Sequence, residues 1–429
     1  MMTEHSRRAF VEKTVMGLAG GALLFGADRG RLWAKAEGLS SSAAETVADY
    51  WRLVQNGFRL EPGLVYLNNA SLGPSPELVA DATEAFRRRL DSFPSRYMWG
   101  GWSEDMETVR SKCAALLGAD AEEIALIHNT TEGMNLVAAS LELEPGDEVI
   151  LADHEHTSGT VPWMYWQESK GVRLVRPNLP ILPTDPAEIA EVYRRAITPR
   201  TRVISMCHIV NTNGMILPVR QVSEMARAHG ILVAVDGAQA PGQIDVDLHA
   251  LGCDFYAASA HKWLFSPKGV GIFYARSESQ PVLKPLIVCR GWEDTSIRRL
   301  ENYNTRNLPE VLGLGVAVDF QNLMNPTRRT ARILELKHGL RTRLEDDACF
   351  AIKTPASDRL SAGITTVEVV GRNARDIAVA LAENHRIDCR PMTSHELNGL
   401  RISLSVFNTE DQVDLLVAAL RELAETPSA

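Results

Sequence analysis

Two residues carry the strongest chemical signal in the chain: Asp236, in Val235-Asp236-Gly237-Ala238-Gln239, and Lys262, in Ser259-Ala260-His261-Lys262-Trp263. Each follows a short apolar run, at 231–235 and 255–257, with a helix-sized gap between them. Such near-continuous apolar runs suit strands buried on both faces of a parallel sheet. Ligands of open α/β sheets bind beyond the carboxyl ends of the strands, so the acid and the amine are expected to face one crevice. A lysine that forms a Schiff base must be neutral when it attacks, which a desolvated position near other positive charge favours. A carboxylate beside a ring nitrogen keeps that nitrogen protonated, and the ring then accepts electrons from a substrate carbanion. Taken singly, Asp236 reads as well as a turn cap and Lys262 as a solvated side chain. In this order and spacing they point together to imine chemistry on an electron-accepting ring.

This pair and the motifs around it resemble the class V aminotransferase superfamily of fold type I pyridoxal-phosphate enzymes, which includes cysteine desulfurases and isopenicillin N epimerase-like proteins. The likeness runs from about Tyr66 to the last helix, with the motifs in the family's order. It implies pyridoxal 5′-phosphate as cofactor, joined to Lys262 and held at its ring nitrogen by Asp236. Asn129-Thr130-Thr131-Glu132-Gly133 is similar to the family's first phosphate-binding turn, so Thr130 and Thr131 are expected at the phosphate beside helix-start amides. Ser259 and His261 match further phosphate contacts. His156, in Asp153-His154-Glu155-His156-Thr157, matches the histidine that stacks over the ring. Asn211 and Gln239 match positions near the phenolic oxygen. Arg401, in Leu400-Arg401-Ile402-Ser403, resembles the arginine that clamps the substrate α-carboxylate, a task for which a guanidinium fork is suited. Asn69, in Leu67-Asn68-Asn69-Ala70-Ser71, falls in the segment that lines the substrate entrance. Thr305, in Tyr303-Asn304-Thr305-Arg306, resembles the segment that reaches the phosphate of a neighbouring subunit, which implies a homodimer with shared sites.

One departure from the family is informative. Desulfurases of this kind carry a nucleophilic cysteine shortly after an arginine in a mobile loop, whereas Arg390 here is followed by Pro391-Met392-Thr393-Ser394-His395. Cys389 precedes the arginine and reads as a buried thiol. Desulfuration to a persulfide is therefore disfavoured. The remaining outcomes on an amino acid or amino-bearing peptide or siderophore rank as transamination first, epimerisation second and C–S lysis third. A non-catalytic binding protein that has kept the fold is a further class, and it predicts erosion of these residues rather than their joint presence.

The elements that must position these residues follow a βαβ rhythm from Tyr66 to Arg276. Strands are expected at 148–151, 202–205, 231–235, 255–257 and 270–274, with helices such as 186–196 and 222–229 between them. After Leu308 the pattern changes to long helical runs, then a strand at 363–369, a helix at 374–384, a strand at 400–404 and a helix at 411–425. The expected architecture is α/β: a large domain with a mostly parallel sheet over 66–308, and a small C-terminal α+β domain over 309–429. Residues 37–65 form an N-terminal segment.

Ahead of that fold stands Ser6-Arg7-Arg8-Ala9-Phe10, an apolar glycine-containing run to Ala27, and Ala34-Lys35-Ala36. A charged segment, an apolar segment and an A-x-A site make a signal peptide, and the paired arginines match the twin-arginine route, which exports proteins already folded around a cofactor. Cleavage after Ala36 and a periplasmic location are expected, with the twin-arginine translocation machinery as a partner. The plainer reading is a membrane anchor or loose helix, for which the run is short and glycine-rich. The whole chain of 429 residues carries a net charge of −9. Removing 1–36 takes away six basic and three acidic residues, leaving about −12. An acidic chain without a basic run is a poor nucleic-acid binder. The six cysteines show no CxxC pair and no histidine at ligand spacing, so neither a metal site nor a disulfide framework is expected.

Overall fold

The computed structural model describes residues 47–425. The export signal expected at 1–36 lies outside the described residues. No helix among the described residues is long and apolar enough to cross a membrane.

Seven strands form the main sheet: β1 (Ile124–Ile127), β2 (Glu148–Leu151), β3 (Arg173–Val175), β4 (Thr201–Cys207), β5 (Leu232–Asp236), β6 (Phe255–Ser259) and β7 (Gly271–Ala275). Their spatial order is β1-β7-β6-β5-β4-β2-β3, and β7 alone runs against the rest. Strands β1, β2, β6 and β7 are buried along their whole length, as their unbroken apolar runs require when helices cover both faces. One face packs a cluster that includes Ile150, Ile204, Val235 and Tyr256, and the other packs Val149, Val203, Ala234 and Phe255. The alternation of neighbours between two cores is the period of two expected of a strand.

The second unit is an antiparallel sheet of β8 (Phe350–Ile352), β9 (Ile364–Val369), β10 (Arg390–Met392) and β11 (Gly399–Ser403), in the order β10-β11-β9-β8. Helices Ala374–His385 and Glu410–Glu425 cover it and share its core with Leu336, Leu340 and Leu344.

Helix Leu308–Met324 is buried almost throughout and contributes Leu312, Val316 and Phe320 to the main core, so the cores divide within helix Pro326–Leu344. At the other end, Val65 and Leu67 belong to the small core, and Val65–Tyr66 pairs in parallel with Ile387–Asp388. The helix expected at 222–229 is Val219–Arg227, because Pro218 pre-sets the entry to its first turn.

Candidate active site

Because β1, β2, β4, β5 and β6 run parallel, the residues after each strand gather along one edge of the sheet. There stand Asn129-Thr130 after β1, His154-Glu155-His156 after β2, Asn211 after β4, Asp236 closing β5, and His261-Lys262 after β6.

At one end Thr130 opens helix Thr130–Ser140, whose cap is Asn129 Oδ1 accepting from the Glu132 amide at 3.0 Å. Ser259 closes β6 and meets Thr130 twice: its Oγ accepts from the Thr130 amide at 3.1 Å and lies 2.9 Å from Thr130 Oγ1. Gly133 lets this helix sit on the sheet, since a β-carbon there would stand 2.5 Å from Ala257 Cβ. Thr131 is exposed and donates to Ser158 Oγ at 3.0 Å. The hydroxyls of Thr130, Thr131 and Ser259 gathered at a helix start make an anion site, the role expected for a phosphate.

At the centre, Asp236 is buried and its Oδ1 accepts from the Ala238 amide at 3.0 Å. Lys262 feels both Asp236 and two arginines: burial chiefly, with Arg401 and Arg390 adding, lowers its amine to about 8 against the pull of Asp236. His156 caps helix Thr157–Lys170, with Nδ1 accepting from the Ser158 amide at 3.1 Å. Nδ1 is therefore unprotonated, which agrees with a pKa depressed by burial and by the cations Lys262, Arg390 and Arg401 despite Asp236. Gln239 donates to Ala70 O at 2.9 Å and accepts from Trp263 Nε1 at 2.7 Å, bonds that leave one amide hydrogen over.

At the far end, Arg401 on β11 is buried and held by Asn211 O at 3.1 Å, Asn68 Oδ1 at 3.1 Å and Ser71 Oγ at 2.6 Å. Its Nε has no partner, and burial with Arg390 nearby lowers its pKa to about 9. Such a buried cation, with Asp388 acting on it but no ion pair to it among the described residues, is a place for a carboxylate. Asn69 is fully buried with neither amide atom bonded, and His261 Nδ1 is also buried and unbonded. Thr305 stands apart: it is exposed, in a loop tied to β1 by Arg306 donating to Leu126 O at 2.7 Å.

Four residues at this edge were not singled out from sequence. Asn68 and Ser71 carry Arg401, and their neighbour Asn69 had pointed to the segment. Arg390 faces Arg401 directly across β10 and β11. Glu155 accepts from the Cys207 amide at 3.0 Å through Oε1, while its buried Oε2 is unpartnered. A β-carbon on Gly159 would stand 3.7 Å from Asp236 Oδ2 and 3.8 Å from Glu155 Oε2, so the two carboxyls flank one point. Burial first, and Asp236 in addition, raise Glu155 to about 8.

These features together decide the relationship. The aminotransferase class-V family model matches residues 65–416. The chain belongs to this family. It is 35% identical to the isopenicillin N epimerase of Streptomyces clavuligerus over 394 residues, covering 88% of this chain and 99% of that protein. It is 30% identical to a cysteine desulfurase of Serratia proteamaculans (strain 568), covering 84% and 93%. Its fold is similar to the crystal structure of the cysteine desulfurase CsdA from Escherichia coli, with a TM-score of 0.74, 25% identity, and 87% of this chain and 98% of that one covered. The chain is thus an enzyme of the class V family with the α/β fold expected from its sequence. The donor set fits pyridoxal 5′-phosphate: hydroxyls at a helix start for a phosphate, a carboxylate for a ring nitrogen, an amine of lowered basicity, and orphaned polar atoms between them.

The residue groupings elsewhere are structural. Asp120, Glu123 and His249 place ligand-type atoms within 4.8 Å of one another, but at the amino end of β1, away from this edge. Glu123 and His249 already pair at 2.6 Å, and Asp120 and Glu123 form a helix-capping box.

Proposed function

We propose that this enzyme moves a proton at the α-carbon of an amino acid or amino-bearing peptide, with epimerisation as its outcome. The observation that carries the reading is Lys262, an amine lowered to about 8 within reach of Asp236 and Arg401 at one sheet edge. The likeness to isopenicillin N epimerase over almost all of that protein supports epimerisation ahead of transamination. Pyridoxal 5′-phosphate, the cofactor, supplies an aldehyde that condenses with amines and a ring that accepts electrons from the α-carbon.

Arg401 holds the substrate α-carboxylate with its fork, fixed in place by Asn68, Ser71 and the Asn211 carbonyl. Lys262 would hold the cofactor and, when its amine is free, would take the α-proton, a role for which a pKa near the working pH is best. Asp236 would keep the ring nitrogen protonated, and neutral His156 would pack over the ring. Inversion would follow when a donor other than Lys262 delivers a proton to the opposite face of the α-carbon, while Lys262 keeps the proton it took.

Thr130, Thr131, Ser259 and His261 hold the phosphate, while Asn211 and Gln239 flank the phenolic oxygen and Asn69 borders the substrate. Thr305 serves the partner's site in a homodimer, a reading supported by its exposure and by the exposed Ile287, Val288 and Trp292 nearby in sequence. The twin-arginine pattern supports export to the periplasm.

The test is exchange in deuterated water. With a panel of L- and D-amino acids and amino-bearing peptides, the reading expects solvent deuterium at the α-carbon and a racemic or inverted product. Stoichiometric keto acid without inversion would move the assignment to transamination.

A further inference from the structure

Arg390 and Arg401 are register partners on adjacent antiparallel strands, so two guanidinium side chains share one face of the sheet. Like charges set directly opposite destabilise a sheet, and both reach the same hydroxyl, with Ser71 Oγ 2.6 Å from Arg401 and 3.4 Å from Arg390. Arg390 is exposed and makes no ion pair among the described residues. Five residues on, His395 sets its ring 4.9 Å from that of His154, tilted by 36°. His154 is buried, and its Nδ1 meets Thr212 Oγ1 at 3.1 Å, beside the Asn211 whose carbonyl holds Arg401. The loop returns to this spot through two consecutive left-handed residues, His395 at φ 55° and Glu396 at φ 59°. Non-glycine residues rarely take that conformation, and such strain gathers at ligand clamps.

We propose that Arg390 and the His154–His395 pair form a second anion subsite beside the α-carboxylate clamp, which reads an acidic group on the substrate's side chain. The inference rests on the amino-substrate reading above and narrows the substrate class to amino acids or peptides with a second carboxylate. Arg401, with three hydrogen bonds holding it, takes the α-carboxylate. Arg390, exposed and without a counter-ion, takes the distal one, and the imidazoles wall the subsite and donate to it.

The test uses the cofactor-loaded full-length enzyme and two probe pairs, glutamate with glutamine and aspartate with asparagine, titrated by the shift of the cofactor's absorption band. The acidic member of at least one pair should bind about tenfold tighter or better. In Arg390→Gln and His395→Ala that preference should fall toward unity, because the acidic member loses more affinity than the neutral one. Equal weakening of acidic and neutral members would overturn the proposal, because Arg390 would then serve the α-carboxylate. Absence of acid preference in the wild type would overturn it as well. Glutarate, which has no amine, separates the two readings. If it raises the melting temperature more than butyrate does in the wild type but not in Arg390→Gln, the subsite stands even where no amino acid shifts the band, and the amino-substrate reading alone falls.

Discussion

The backbone of Gly73 passes so close to Lys262 that a β-carbon at position 73 would stand 1.9 Å from the Lys262 carbonyl oxygen. The Gly73 amide donates to His261 O at 2.9 Å, so the segment carrying Asn68, Asn69 and Ser71 is tied to the loop carrying the reactive amine. Overpacking a closely fitted backbone typically costs about 1–3 kcal/mol. Gly73→Ala is expected to lower the melting temperature and weaken cofactor retention together, measured by thermal unfolding and by loss of the cofactor band on dilution. A variant that melts earlier yet holds cofactor as before would show that the tie does not set the Lys262 loop.

Arg401→Lys keeps the charge and loses the fork. Its three hydrogen bonds fix a planar guanidinium, and an ammonium cannot pair both carboxylate oxygens from the same position. The expected result is a KM for the amino substrate raised by roughly 10- to 100-fold, with the cofactor band intact. Full retention of KM would remove Arg401 from the carboxylate.

The amine of Lys262 must be neutral to capture an aldehyde, and burial, with Arg401 and Arg390 adding, lowers it to about 8. Capture of cofactor by cofactor-free protein should accelerate about tenfold per pH unit below 8 and level off above it. Stopped-flow absorbance between pH 6 and 10 checks this. A rate still climbing toward the ordinary lysine range would place Lys262 in a more solvated setting.

Burial acts on Glu155 in the opposite direction, raising its pKa. Its folded pKa, raised to about 8, stands above the usual carboxylate value, so its contribution to stability is fully present below pH 4.5 and is lost as pH rises to 8. Glu155→Gln keeps an acceptor for the Cys207 amide and removes that loss. Relative to wild type it should gain on the order of a few kcal/mol between pH 4.5 and 8, read by denaturant unfolding of the cofactor-free proteins. A difference that does not change with pH would contradict a neutral Glu155.

The main sheet was legible because its strands announce themselves by continuous apolar runs, and the parallel order then aligned Asp236 and Lys262 at one edge. The edges of elements were less so. Pro218 moved a helix start by three residues, and Leu308–Met324 joined the larger core because its apolar surface goes all round, which periodicity in one stretch does not assign to either neighbour. The supporting shell of the site was the least visible. Asn68, Ser71 and Arg390 meet Arg401 only through contacts of the small sheet and the segment after Val65–Tyr66, far apart in the chain. Glu155 was seen only as the neighbour of His156, since an isolated glutamate carries no spacing signal for burial. The loop cysteine of the desulfurases is absent from 391–395, and Cys389 is buried with its thiol pushed up to about 12, a poor nucleophile.

The central claim is that Lys262 is the amine that holds the cofactor. Protein loaded with pyridoxal 5′-phosphate, reduced with borohydride and digested, should carry one pyridoxyl group on the peptide containing Lys262, and Lys262→Ala treated alike should carry none. A pyridoxyl group on another lysine of the wild type, or an unlabelled Lys262 peptide in fully loaded protein, would contradict it.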